Sequence, residues 1–187
     1  MPMEITWTRK ALRLPEEVRE EISRRLDTLQ PHFPEMRPQV RVGLTRLFEG
    51  FVFQSNSGFT RLNLEVRKGK GGAVRYPTYW TIAHEMMHLA QFNSHGIPGD
   101  ESACDIFALA RLPPMFIDES PTYLFVPQEA RAVWRERDAE LAHELAKTAI
   151  NRLENGDESY VCYWEDEFER RYSVPHDSSV VSGSLVE

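Results

Sequence analysis

The chain contains 187 residues, of which 41% are hydrophobic and 27% charged, and its formal net charge is −7. This composition predicts one globular domain with its own core, and the acidic balance argues against nonspecific binding to nucleic acid or an anionic membrane. No segment is long and apolar enough to span a bilayer, and residues 1–10 lack the apolar core of a secretion signal. We therefore expect a cytoplasmic protein without nucleic acid or membrane among its partners. Two cysteines give no disulfide framework, and Cys104 is expected to be a small buried side chain rather than a metal ligand.

The first predicted element is a helix over residues 15–29. Pro15 suits the first position of a helix, and the acidic residues that follow it favour the positive end of the helix dipole. Apolar residues recur at helical spacing and would form the buried face: Val18, Ile22, Leu26 and Leu29. Three prolines between residues 31 and 38 then indicate a loop.

Alternating apolar and polar residues next predict half-buried strands over residues 40–45, 51–53 and 62–66. A turn at residues 55–58 separates the last two of them. The resulting sheet would have two or three strands and end near Lys68, with an exposed edge near residues 61–66.

A glycine-rich stretch at residues 69–72 is surrounded by basic side chains. The simpler interpretation is a solvated hairpin loop. The alternative is a mobile positive loop beside a functional site, where it would touch substrate. The basic residues are Arg61, Arg67, Lys68, Lys70 and Arg75.

The most informative motif is His84-Glu85-Met86-Met87-His88, which lies in a predicted helix over residues 76–93. Residues four apart lie on one face of a helix, so both imidazoles can reach one metal ion. Glu85 points to another side and can approach a water molecule on that ion without binding the ion. The flanking residues are apolar, and buried histidine is uncommon unless it is hydrogen-bonded or ligating. The motif therefore predicts a catalytic metal site, with two hydrogen-bonded structural histidines as the plainer alternative.

A catalytic zinc ion usually has three protein ligands and one position for water. The candidates for the third ligand are Glu101, His95 and Asp100. On an uninterrupted helix His95 would lie about 10 Å beyond His88, so it could reach the ion only if the helix ended early and folded back.

Residues 94–100 have the glycine and proline content of a turn, after which Asp100 can cap a helix over residues 101–112. That helix would present Glu101 to the ion. Asp105 lies four residues later on the same face, where it can accept a hydrogen bond from the far nitrogen of a ligating histidine. Two imidazoles and one carboxylate with an open position favour Zn²⁺ over magnesium.

The C-terminal part of the chain is predicted to be mainly helical. Residues 113–127 contain four prolines and are expected to be irregular. Helices follow over residues 128–154 and 159–172, and the serine-rich residues 174–187 are expected to form a disordered tail.

The order of elements predicts an α+β fold with a small antiparallel or mixed sheet, an N-terminal helix, the motif-bearing helix and a mainly helical C-terminal lobe. We expect one domain over residues 1–173. Its N-terminal lobe would cover about residues 1–95 and its C-terminal lobe about 96–173.

The His-Glu-x-x-His motif followed by a helix carrying Glu-x-x-x-Asp resembles the gluzincin branch of the zincin metallopeptidases. The resemblance implies a zincin-like fold whose cleft lies between the sheet and the C-terminal helices. It implies that His84, His88 and Glu101 bind zinc, that Glu85 is the general base, and that Asp105 supports a ligand.

Two further resemblances concern neighbouring residues. Residues 101–114 resemble the ImmA/IrrE-like peptidases, which carry a Glu, an Asn or Asp, Phe-Ala and a Pro as this chain does at Glu101, Asp105, Phe107-Ala108 and Pro114. Only 12 residues separate His88 from Glu101, which is similar to the minigluzincins. The pair His95-Gly96 is similar to one found in SprT-like proteases.

These patterns lead to three hypotheses. The first is a zinc metallopeptidase acting on a peptide or protein substrate, with a peptide added to the sheet edge and an oxyanion donor among Tyr123, Tyr160, Tyr163 and His176. The second is a non-enzymatic, zinc-stabilised interaction module. The third is a DNA-associated protease of the SprT kind, which the acidic balance disfavours.

Overall fold

The computed structural model describes residues 3–37, 39–46, 50–54, 60–68, 74–94 and 96–173. These ranges form an α+β structure in which a small mixed sheet is followed by helices. The predicted α+β class with a small sheet is therefore confirmed. Several predicted features lie outside the described residues, namely the turn at 55–58, the glycine-rich stretch at 69–72 with Lys70, the candidate ligand His95, the tail at 174–187 and His176 within it.

The sheet has the strand order β1-β2-β4-β3. Strand β2 lies parallel to both β1 and β4, whereas β3 and β4 are antiparallel. The strands are β1 (Glu4–Trp7), β2 (Gln39–Thr45), β3 (Gly50–Gln54) and β4 (Thr60–Glu65).

Two predictions about this sheet are wrong. The prediction of two or three strands omitted β1, which joins the sheet by pairing with β2. The predicted exposed edge at residues 61–66 is interior, because β4 is paired on one side with β2 and on the other with β3. Among the described strands it is β3 that lies at this edge of the sheet.

One face of the sheet packs against the first two helices. Helix α1 (Glu16–Leu29) buries the apolar stripe predicted for it, and α2 (Tyr79–Asn93) is buried on nearly all sides. The sheet contributes alternate residues of its two central strands, which are Val40, Val42, Leu62 and Leu64. Burial of this apolar surface supplies the main stabilisation of the N-terminal half.

The C-terminal half contains α3 (Glu101–Arg111), α4 (Gln128–Ala132), α5 (Glu136–Glu154) and α6 (Tyr160–Tyr172). Helix α5 packs against both α3 and α6. The prediction of one helix over residues 128–154 is wrong, since the chain leaves helical geometry at residues 133–135. There Trp134 Nε1 donates to Ile117 O at 2.9 Å, and Arg135 N donates to Asp138 Oδ2 at 3.1 Å, which starts a new helix.

The irregular segment after α3 is held by side chains rather than by regular secondary structure. It begins with a short 3₁₀ helix, Pro114–Phe116, and then runs as residues 117–125, which we call the strap. Arg131 donates to Pro121 O at 2.8 Å and to Leu124 O at 3.0 Å, and Glu165 accepts from Phe125 N at 2.7 Å. The prediction of an irregular segment is confirmed, and these bonds satisfy three of its backbone groups.

A short two-stranded arm, β5 (Arg67–Lys68) and β6 (Val74–Arg75), connects the sheet to α2. Arg67 pairs with Glu65 at 2.5 Å and Arg75 with Glu119 at 3.5 Å, so these two basic residues have acidic neighbours. Within the described ranges no helix is both long and apolar enough to cross a membrane.

Candidate metal centre

The start of α2 is fixed by side chains that satisfy its first backbone N–H groups. Thr78 accepts a hydrogen bond from Thr81 N at 3.0 Å. Asp118 of the strap accepts from Tyr79 N at 3.1 Å and from Trp80 N at 2.9 Å. Because these groups have no partner within the helix itself, the caps stabilise its first turn and tie the strap to it.

Two imidazoles from α2 meet one carboxylate from α3. His84 Nε2 and His88 Nε2 each lie 3.1 Å from the same oxygen, Oε2 of Glu101. The rings of the two histidines are 4.9 Å apart and nearly perpendicular. The one-face spacing of the histidines and the position of Glu101 at the start of the next helix bring these three groups together.

The other nitrogen of His84 fixes its tautomer. His84 Nδ1 lies 2.7 Å from Oδ1 of Asp105, a carboxylate with no solvent exposure. A carboxylate can only accept, so Nδ1 carries a hydrogen. When the ring is neutral, its lone pair is therefore at Nε2. Burial lowers the pKa of His84, but the carboxylates of Asp105, Glu85 and Glu101 outweigh it and raise the pKa above its usual value. The surroundings of this ring therefore favour a positive charge.

His88 is oriented in the same way by Gln91. The amide nitrogen of Gln91 donates to Pro98 O at 2.6 Å, which turns its oxygen Oε1 towards His88 Nδ1 at 2.9 Å. His88 Nδ1 is therefore the donor, and Nε2 again presents a lone pair. Gln91 was missed at the sequence level, although a polar residue three positions after a ligating histidine lies on the same helix face.

Three electron-pair donors thus converge with no proton between them when the histidines are neutral. The repulsion between them is relieved either by a proton on an imidazole nitrogen or by a metal ion bound between the three groups. Zinc bonds of about 2.0–2.1 Å would separate tetrahedral ligand atoms by about 3.3 Å, close to the 3.1 Å between each imidazole nitrogen and the carboxylate oxygen. The residue types, orientation and spacing of this donor set fit zinc.

Cys104 also lies near the histidines. One ligand atom each from His84, His88 and Cys104 fall within 4.8 Å of one another. The thiol, however, donates to His84 O at 3.2 Å, and burial followed by the nearby carboxylates raises its pKa well above the usual value. Glu101 Oε2 lies 3.1 Å from both imidazole nitrogens, so we propose its carboxylate as the third ligand.

Asp100, another candidate ligand, has a different role. Asp100 caps α3 by accepting from Ala103 N at 2.8 Å, which uses the carboxylate within the helix. His95 is outside the described residues. Of the proposed ligands, the described part of the chain therefore brings together His84, His88 and Glu101.

Glu85 lies beside this cluster as a buried carboxylate. Its Oε2 atom is inaccessible to solvent and has no hydrogen-bond partner among the described residues. Burial raises the pKa of Glu85 to about 7, because the charged form loses hydration that nothing replaces. A carboxyl group with a pKa near neutrality can both accept and release a proton.

A cleft of about 260 Å³ opens beside Glu85, between the start of β3 and the strap. Tyr123 lies in its wall, with its ring stacked on that of His84 at 5.3 Å and its backbone N donating to Asp105 Oδ2 at 2.7 Å. Burial and the nearby carboxylates raise the pKa of Tyr123, so its hydroxyl keeps its proton. The cleft is lined by Gly50, Trp80, Thr81, His84, Glu85, Thr122 and Tyr123.

The other predicted oxyanion donors differ from Tyr123 in their surroundings. Tyr160 is buried in the helical core, and Tyr163 packs under the guanidinium of Arg152 at 4.2 Å. Of the described candidates, Tyr123 alone lines the cleft.

Comparison of the chain with protein-family models, curated proteins and solved structures gave no significant match. A function is therefore inferred from the chemistry of the cluster and the cleft.

Proposed function

We propose that this protein is a zinc-dependent metallopeptidase. The main support is that Nε2 of His84 and Nε2 of His88 both lie close to one oxygen of Glu101. Beside them is the buried carboxylate of Glu85, whose Oε2 has no hydrogen-bond partner among the described residues. A purely structural metal site has no use for that second carboxylate. The proposal also agrees with the resemblance of the two motifs to gluzincins.

His84, His88 and Glu101 would hold the metal ion, with Asp105 and Gln91 orienting the two rings. Zinc bound there would lower the pKa of a coordinated water molecule towards about 7 and polarise the carbonyl group of the substrate. With three protein ligands, one coordination position stays available for this chemistry.

Glu85 is the general base and then the general acid. Its carboxylate accepts a proton from the attacking water molecule and afterwards donates it to the amine that leaves when the peptide bond breaks. Its burial beside the histidines supports this role, since a carboxylate without competing hydrogen-bond donors is available to the water.

The substrate is a peptide in extended conformation. Strand β3 lies at the edge of the described sheet and borders the cleft, so its backbone can pair with an added strand. Tyr123 faces β3 across the cleft, and its protonated hydroxyl is the donor that we assign to the developing oxyanion.

The test is Glu85→Gln, which keeps the size of the side chain and removes its basicity. We expect turnover of an unstructured protein such as casein to fall by about 10²–10⁴-fold, while bound zinc, measured by atomic absorption, is unchanged. The matched control is Glu144→Gln, because Glu144 also follows a histidine on a helix but is exposed on α5. This control should retain full turnover.

Full turnover by Glu85→Gln with its zinc retained would contradict the assignment of the base. Stoichiometric zinc in a wild-type protein that cleaves no peptide would instead favour the zinc-stabilised interaction module.

A further inference from the structure

Gly50, the first residue of β3, touches the catalytic machinery without carrying a reactive group. In the antiparallel register it lies opposite Leu64, so its missing side chain would point to the face of the sheet that α2 covers. A β-carbon built at this position would lie 2.5 Å from Cγ, 2.6 Å from Oε1 and 2.7 Å from Cδ of Glu85. All three distances are far below van der Waals contact.

The Glu85 side chain has room to move only on the side of the cleft, which it lines. It is buried, and the residues on either side of it along α2 are buried too. Strand β3 is in turn held by its ladder with β4. Because a packed interior accommodates an added methyl group only by shifting its neighbours, the carboxylate is the part of this contact that would have to yield.

We infer that Gly50 is a positioning residue, whose lack of a side chain lets the Glu85 carboxylate occupy its place between the sheet edge and the metal-binding histidines. This inference rests on the proposed function for its catalytic consequence. Any larger residue at position 50 would displace the Glu85 carboxylate from the position in which it transfers protons. The metal ligands would not be displaced.

Other glycines of the chain provide matched comparisons. A β-carbon at Gly96 or Gly99 would meet nothing within 4 Å. At Gly43, in the sheet, a β-carbon would collide with Oδ1 of the buried Asn63 rather than with a residue of the cleft. Gly43→Ala therefore reproduces the damage to the sheet without the contact with Glu85.

The experiment is a double-mutant cycle that does not depend on catalysis. We expect Gly50→Ala to lower the melting temperature by about 3–10 °C. In a Glu85→Ala background the same change should cost much less, because the three colliding atoms are gone. Gly43→Ala should cost the same in both backgrounds. An equal cost of Gly50→Ala in both backgrounds would overturn the inference.

The catalytic readout uses the same variants loaded with zinc. Gly50→Ala should lower kcat about 100-fold, as expected for a displaced catalytic group. Its zinc affinity should be unchanged. When Gly50→Ala is combined with Glu85→Gln, kcat should fall little below that of Glu85→Gln alone. Gly96→Ala should behave as the wild type. A normal kcat for Gly50→Ala would overturn the positioning role. An inactive wild type would overturn the proposed function alone, since the melting-temperature cycle still decides the contact.

Discussion

At the scale of single residues, the proposed metal centre depends on where each imidazole carries its hydrogen. Asp105 and Gln91 hold one hydrogen each on the far nitrogens of His84 and His88. When the two rings are neutral, the near nitrogens are therefore the electron-pair donors. Loss of such a partner commonly lowers metal affinity by about 10–100-fold.

We predict that Gln91→Leu weakens zinc binding by about 10–100-fold. The substitution removes the acceptor for His88 Nδ1 and frees that ring to rotate or to change its tautomer. Competition titration with a chromophoric chelator measures the dissociation constant. Gln128→Leu, at an exposed position on α4, is the control, and an unchanged affinity for Gln91→Leu would show that His88 needs no such partner.

Much of this centre is predictable from the sequence because its residues are close along the chain. Helical spacing predicts that His84 and His88 lie on one face with Glu85 beside them. The turn that follows predicts that the next helix places Glu101 and Asp105 near them. The structure shows both arrangements. Their catalytic and metal-binding roles stay predictions. Gly50 was not predictable, because its importance comes from a contact across 35 positions of sequence with no local pattern.

At the scale of elements, the strap shows how an irregular segment can be firmly held. Asp118 of the strap caps the start of α2, and the backbone N of Tyr123 donates to Asp105 of α3. The strap is therefore attached to both helices that carry the proposed ligands. Side-chain acceptors replace the regular ladder that a strand or helix would provide.

We predict that Asp118→Ala destabilises the protein by about 1–2 kcal/mol, because two backbone N–H groups at the start of α2 lose their acceptor. Urea denaturation followed by circular dichroism measures the loss. Asp166→Ala, which removes an exposed carboxylate from α6, should change the stability little. Equal stability of the two variants would mean that Asp118 does not act as a cap.

The errors at this scale come from interactions distant along the chain. Strand β1 has only four residues, and its partner in β2 lies 35 positions away. So short a run of alternating polar and apolar residues does not predict a strand. The order of β3 and β4 depends on the parallel pairing of β4 with β2, which a hairpin pattern does not reveal. The break before α5 contains neither proline nor glycine. The bonds found there are the one from Trp134 to the strap and the one from Arg135 N to Asp138, and neither is visible in a local pattern.

At the scale of the whole molecule, an ion pair at the C-terminal end of α3 joins the C-terminal half to the N-terminal half. Arg111 donates to both oxygens of Glu35, at 2.8 and 2.7 Å, which links the end of α3 to the loop after α1. Burial of Glu35 favours its neutral form, but the bonds from Arg111 outweigh burial and hold its pKa below the usual 4.5. The pair therefore contributes stability above about pH 4.5, and this contribution is lost as pH falls through the lower folded-state pKa.

We predict that Glu35→Gln costs about 0.5–1 kcal/mol at pH 7 and that this cost shrinks towards zero near pH 3. Urea denaturation at a series of pH values measures the difference from the wild type. Glu20→Gln, at an exposed position on α1, should show neither effect. A cost that stays constant down to pH 3 would contradict the role of the charged pair.

We also predict that the protein stays folded when its metal is removed, because the apolar core between the sheet, α1 and α2 does not depend on the cluster. Zinc at about 100 times its dissociation constant should add about 2.7 kcal/mol, which calorimetry would detect as a higher melting temperature. Chelator-induced unfolding, seen as loss of the helical dichroism signal, would contradict this and favour a metal-dependent module.

The two oxygens of Asp105 have a consequence for the rigidity of the cleft. One oxygen holds an imidazole and the other holds the amide of Tyr123, so the wall of the cleft and the ligand of the ion are fastened to the same buried group. If the wall moved outwards, Oδ2 of Asp105 would lose its hydrogen bond from Tyr123 N while staying buried, at a cost of about 1–3 kcal/mol. In the peptidase that we propose, this described wall of the cleft would therefore discriminate among peptides by the fit of a rigid slot.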